Sequence, residues 1–239
     1  MTFVAQLLLL LTALVADVAS AAAIPDFEAR YRLEQHNLRI GTATLSLHIT
    51  GEGQYLYEFN SWPNRWVSWF RENRLFESSR GDISKDGLQP QQYDYRRSGD
   101  QQRNANLTFD WQDMHVENHV AGSHWEMDIP AGTLDKLSTQ LGMMLALAEG
   151  KRDITYTVAD GGTLKEYRYR VVGRETLRLP AGRFKTLKVS KLRKDLQQQT
   201  IIWVAPELHY LPVRIWRRDS DNDEYLSELE SFTPSLRKK

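Results

Sequence analysis

From Phe27 onward, apolar and polar residues alternate with a period of two. Phe27, Ala29, Tyr31 and Leu33 fall on one face, with Glu28, Arg30, Arg32 and Glu34 on the other. Extended backbone places successive side chains on opposite faces, so this pattern predicts a strand with one buried and one wet side. After a turn near Asn37, a second run sets Ala43, Leu45, Leu47 and Ile49 against Thr42, Thr44, Ser46, His48 and Thr50. Gly51-Glu52-Gly53 then turns the chain into Tyr55, Tyr57 and Phe59. Short turns between half-wet strands describe an antiparallel meander.

The rhythm continues, with turn signals at Asp86-Gly87, Ser98-Gly99-Asp100, Ala121-Gly122-Ser123 and Asp160-Gly161-Gly162. Each supplies residues that tolerate the positive φ a hairpin needs. Later strands are expected over residues 166–172, 183–192, 200–205, 212–218 and 225–232. About a dozen strands in one chain predict a mainly β fold, a curved antiparallel sheet forming a half-barrel or barrel.

Two segments break the alternation. Residues 133–149 place Leu134, Leu137, Leu141, Met144, Leu145 and Ala148 at helical spacing, with Thr133 to cap the start and Gly150 the end. This predicts one long amphipathic helix packed on the concave side of the sheet. Residues 63–70, carrying Trp66, Trp69 and Phe70, predict a second, short aromatic-rich helix.

The N-terminus reads differently. Leu7 to Leu11 sit in an apolar run that ends in small residues at Ala19-Ser20-Ala21-Ala22-Ala23, the pattern of a cleavable secretory signal. The expected signal spans residues 1–21, with cleavage placed as late as 23, although Met1-Thr2-Phe3 lacks the usual Lys or Arg. The run is short for a membrane span and is broken by Asp17. Residues 24–239 then form one β-rich domain, with no linker, repeat or transmembrane span.

Lysine plus arginine balances aspartate plus glutamate, 31 against 31, so no global field draws in nucleic acid. With no cysteine, the chain can form neither a disulfide nor a lipidated N-terminal thiol. Secreted eukaryotic domains of this kind lean on disulfides, which favours the bacterial periplasm.

Several segments come in a recognisable order: Gly87-Leu88-Gln89-Pro90 with Tyr93, Asp135-Lys136-Leu137-Ser138, Tyr169 through Glu175, Pro180-Ala181-Gly182-Arg183-Phe184, and Trp203 followed by Leu211-Pro212-Val213-Arg214. Together they resemble a family of exported, β-rich proteobacterial proteins known as a domain of unknown function. The resemblance covers residues 27–232 and implies an exported β domain, without a reaction or cofactor. A curved sheet holding a helix is also similar, in architecture alone, to the periplasmic lipoprotein carriers.

Among candidate sites, the aromatic cluster Trp62, Trp66, Trp69 and Phe70 stands first. Flat aromatic surfaces stack on sugar rings or cover acyl chains, while the indole N–H still pairs with polar groups; the competing reading is a core plug. His115, His119 and His124 raise the question of a metal, but residues 111–120 read as strand. Residues four apart on a strand lie too far apart for one ion, so no metal is expected. Asp219, Asp221 and Asp223 echo a calcium loop but lack its glycine, Glu224 standing at that position. Ser138 near Asp135 lacks a nucleophile elbow, and Asp135 is explained by the helix dipole. The basic residues at 191–194 and Arg214, Arg217 and Arg218 decorate strand faces that could meet anionic lipid heads.

No catalytic set and no cofactor are therefore expected. The reading favours a periplasmic binding or carrier protein whose ligand is a lipid, lipoprotein or glycan of the envelope. The alternative is a scaffold or assembly factor with an envelope protein partner, and a hydrolase ranks behind both.

Overall fold

Among the described residues, fifteen strands hydrogen-bond into one sheet. The computed structural model describes residues 24–64, 74–84, 87–99, 102–120, 123–192 and 198–234. The first eight strands form an antiparallel meander: β1 Phe27–Gln35, β2 Leu38–Ile49, β3 Gln54–Pro63, β4 Leu75–Ser84, β5 Gly87–Arg97, β6 Arg103–Asp110, β7 His115–Val120 and β8 Ser123–Asp128. The chain then passes to the far edge, β9 Leu134–Asp135, before the helix α1 Ser138–Ala148. A second meander returns through β10 Asp153–Asp160, β11 Thr163–Leu179, β12 Gly182–Leu192, β13 Gln199–Ala205, β14 Leu211–Arg218 and β15 Glu224–Pro234. β15 pairs antiparallel with β1, so the first and last strands join the two meanders mid-sheet.

The sheet runs in the order β8-β7-β6-β5-β4-β3-β2-β1-β15-β14-β13-β12-β11-β10-β9, and this order forces it to curl. Strands lie about 4.8 Å apart, so fifteen laid flat would separate β8 from β9 by roughly 65 Å. Residues 129–133 alone connect those edges, and extended chain covers at most about 3.6 Å per residue, or about 20 Å here. The edges must therefore approach each other, although among the described residues β9 pairs only with β10, in parallel, and the sheet stays unclosed. The interlock is tight: a Cβ on Gly162, in the β10–β11 turn, would sit 2.8 Å from the Trp125 ring on β8.

The turn chemistry behaves as the sequence suggests. His36 and Asn37 both take positive φ, 49° and 62°, between β1 and β2. Such a pair matches the right-handed twist of the flanking strands. Alternation holds as well, with Ala43, Leu45 and Leu47 buried on β2 and Thr42 and His48 turned away.

The helices depart from expectation. Residues 133–137 are not helical; Leu134 and Asp135 form the edge strand β9, and α1 begins only at Ser138. Thr133 caps nothing, and its hydroxyl instead donates to the Pro130 carbonyl at 2.7 Å. The far end stops as expected: Gly150 has φ of 84°, and the N–H groups of Gly150 and Lys151 donate to the carbonyls of Leu147 and Ala146. Nor is α1 a surface helix with one apolar stripe. Leu141, Met143 and Met144 are fully buried, and Leu147 nearly so. Leu141 and Met144 join the larger core with Leu45, Tyr57 and Leu229, while Met143 and Leu147 join a second cluster with Val189 and Val204. A helix apolar on most sides belongs inside, and the curled sheet wraps it. The aromatic-rich helix does not start at Pro63, the last residue of β3; Trp66, Trp69 and Phe70 lie outside the described residues.

Candidate functional site

Strand register arranges the outer face of the first meander. Asn60 on β3 opposes Phe76 on β4, Phe76 opposes Arg96 on β5, and Arg96 opposes Asn104 on β6. Trp62 follows two residues after Asn60 on the same face and is 41% exposed. Beside it lies a cleft of about 240 Å³ lined by Trp62, Phe76, Arg74, Arg96 and Arg97 with polar neighbours and, among the described residues, no acid. The Arg96 guanidinium sits 4.5 Å over the Phe76 ring, a cation–π contact. Arg74 and Arg96 share this face, and Arg97, one residue further along β5, lines the cleft from the strand end. A concavity rich in arginine favours an anion, and the planar guanidinium fork suits phosphate or carboxylate.

Toward the opposite ends of the same strands is a wider groove of about 860 Å³. His48, Leu56, Arg80, Gln92, Thr108 and Glu117 cross it in register from β2 to β7. Arg80 donates to Gln92, and His48 Nδ1 lies 2.7 Å from Asp26 Oδ2. Trp111 stacks on Phe109 with ring centroids 5.7 Å apart, and its N–H donates to the Pro90 carbonyl. The groove borders a bulge at Arg80/Gly81, where a Cβ on Gly81 would meet the Gln89 carbonyl oxygen at 2.2 Å. Glycine is required there because backbone approaches backbone.

The inner face holds the polar network that joins β4, β5 and β9. Ser79 Oγ donates to Asp135 Oδ2 at 2.6 Å, and the N–H groups of Leu137 and Ser138 donate to Asp135 Oδ1 at 2.8 Å. Burial raises the Asp135 carboxyl to about 6 against the pull of these donors. Lys136 Nζ lies 3.1 Å from Glu77, which also accepts from Tyr93 at 2.8 Å. Burial, with the Glu77 charge adding to it, pushes the Tyr93 phenol far up, which keeps it a neutral donor. This network ties strand to edge and presents no exposed nucleophile. Ser138 Oγ in particular is occupied with the Asp135 backbone.

Residues 26–228 match the family model described as "Protein of unknown function (DUF3108)". The chain belongs to the DUF3108 family. No curated protein matches it. Among solved structures, a beta-barrel-like DUF1849 protein from Brucella abortus is similar at a TM-score of 0.57 and 7% identity, covering 89% of this chain and 98% of that one. A candidate lipoprotein from Parabacteroides distasonis reaches a TM-score of 0.38 at 9% identity, covering 87% of this chain and 95% of that one. The first shows that the DUF3108 chain shares a barrel-like β architecture.

Of the residues singled out by sequence in this DUF3108 chain, Trp62 is at the arginine cleft, and the other three aromatics lie outside the described residues. Arg214 does not decorate a free face: it binds Glu228 Oε1 through Nε at 2.8 Å, while Arg32 binds Oε2. Asp219 is a turn residue whose Oδ1 accepts the N–H groups of Asp221 and Asp223. Among the described residues, no helix is long and apolar enough to cross a membrane. Sequence reasoning missed Arg74, Arg96 and Arg97. Their signal was there, since Arg96 and Arg97 end one strand, but only register brings them beside Trp62.

Proposed function

We propose that this chain is a non-enzymatic periplasmic binding or carrier protein for an amphiphilic, anionic component of the cell envelope. The observation that supports this reading is the cleft beside Trp62, whose lining among the described residues has three arginines, two aromatics and no acid. A chain of balanced overall charge has concentrated cations at one concavity, where field and geometry favour an anionic head group. Trp66, Trp69 and Phe70 follow Trp62 in sequence and would cover the apolar part of the same ligand. The barrel-like architecture shared with the Brucella protein fits a binding role. In this reading residues 1–21 direct export and are removed, and residues 24–239 act as one domain.

The test begins with mass spectrometry of an organic extract from protein exported and purified from its own envelope. An anionic amphiphile near one equivalent is expected, and Arg74→Glu with Arg96→Glu should abolish it without changing the melting temperature. Phosphatidylglycerol that neither copurifies nor shifts tryptophan fluorescence when added as micelles would sink the proposal. Trp66→Ala and Trp69→Ala should weaken binding while stability stays within about 0.5 kcal/mol of the parent. Losses of roughly 3–5 kcal/mol would make the cluster core instead.

A second reading, a scaffold for a protein partner, is favoured by one observation: among the described residues β8 pairs with β7 alone, which offers its other edge to strand addition. A stable stoichiometric complex recovered from the envelope without lipid would put this reading first.

A further inference from the structure

The β7–β8 hairpin carries a cluster that shares Glu117 with the wider groove and has no part in the arginine cleft. Antiparallel register sets His119 opposite His124 and Glu117 opposite Glu126. The two imidazole rings lie 4.5 Å apart, centroid to centroid. His119 Nε2 is 3.7 Å from Glu117 Oε2, and His124 Nε2 is 3.1 Å from Glu126 Oε1. One donor atom each from Glu117, His119 and His124 lies within 4.8 Å of the other two.

We propose that Glu117, His119 and His124 bind one divalent ion of the zinc or copper class on the outer face of this hairpin. Tetrahedral zinc with bonds of about 2.0–2.2 Å places its ligand atoms roughly 3.3–3.5 Å from one another. These side chains are about half exposed, so small rotamer changes close the remaining gap without moving backbone. Two imidazoles and a carboxylate form a borderline set that suits zinc and copper, whereas calcium and magnesium require oxygen ligands. Glu126 accepts from the His124 ring or replaces Glu117 as a ligand, and either role leaves a coordination position open for water.

The single-strand objection to a metal does not reach this geometry. His115 and His119 lie four apart along β7, but His124 comes from the neighbouring strand, where directly opposed residues approach to about 5 Å. A second group, Asp110, Asp113 and His115, is also compact. There Asp110 Oδ1 already accepts the N–H groups of Gln112 and Asp113, and only one imidazole is offered. It therefore serves as the internal control.

Isothermal titration of the untagged mature chain with zinc chloride tests this directly. One equivalent should bind at micromolar or tighter affinity at pH 7.5, and more weakly at pH 5.5, where protons compete for imidazole. His119→Ala and His124→Ala should each weaken binding by roughly tenfold or more, and His115→Ala should not. Magnesium chloride should give no binding. Zinc-free melting temperatures of the three variants should match the parent, which separates lost ligation from lost folding. No zinc binding below 100 µM overturns the proposal, as does binding that survives both hairpin variants and disappears with His115→Ala.

Discussion

Asp135 shows how far a single carboxylate can be read from sequence. Its expected place in the first turn of a helix predicts a favourable interaction with the helix dipole; the helix starts only at Ser138, and the N–H groups of Leu137 and Ser138 donate to the carboxylate from there. What sequence could not show is Ser79, which reaches Asp135 from a strand with β3, β2, β1, β15 and five further strands between them. Full burial raises the carboxyl to about 6, above its ordinary value in an unfolded chain. The folded state therefore holds this proton more tightly than the unfolded one, and the sign follows. The contribution is fully present below about pH 4 and is lost as pH rises toward about 6, a change of roughly 3 kcal/mol. Urea denaturation of the parent should show this descending limb between pH 4 and 6.5, and Asp135→Asn should flatten it. An unchanged slope in the variant would mean that Asp135 ionises as freely in the fold as outside it.

At the scale of elements, α1 marks the boundary of what pattern can convey. The spacing of Leu137, Leu141 and Met144 does signal a helix, and Gly150 does end it. Leu134 fits the same spacing yet lies with Asp135 in a strand, because their pairing with Val158 and Ala159 wins over local preference. Helical periodicity also understated burial: Met143 and Ala146 belong to a second core cluster that no apolar stripe on one face would reveal. Leu141 is wholly buried. Leu141→Ala should cost about 2–5 kcal/mol in chemical denaturation, and Leu141→Asp should abolish the cooperative melt. A Leu141→Asp protein that melts like its parent would place α1 outside the core. The hairpins were legible because positive-φ turns have a compositional signature. The arginine cleft and the His119–His124 pair were not, because register across strands joins residues that sequence keeps apart.

At the scale of the whole molecule, alternation and turn spacing were enough to predict a curved antiparallel sheet, but not how nearly it closes. That follows from residues 129–133 alone, which tie its two free edges together. The seam between β1 and β15 is held by Glu228, only 6% exposed, which accepts from Arg32 on β1 and Arg214 on β14. A chain ending at Asp223 would lose Glu228 and the fully buried Leu229, and would leave β1 and β14 with open sides. Such a truncated protein should show no cooperative transition by circular dichroism, whereas a folded, cooperative product would show that each meander stands alone. The joint between first and last strands also bears on time. A polypeptide emerges from synthesis or translocation in order, so β1 waits unpaired on one side until nearly two hundred further residues have followed it. Throughout that interval the nascent molecule is a ribbon with an exposed, partly apolar border, open to any other extended chain nearby. Safe maturation of such a topology depends on how quickly the tail arrives, or on something that shields β1 until it does.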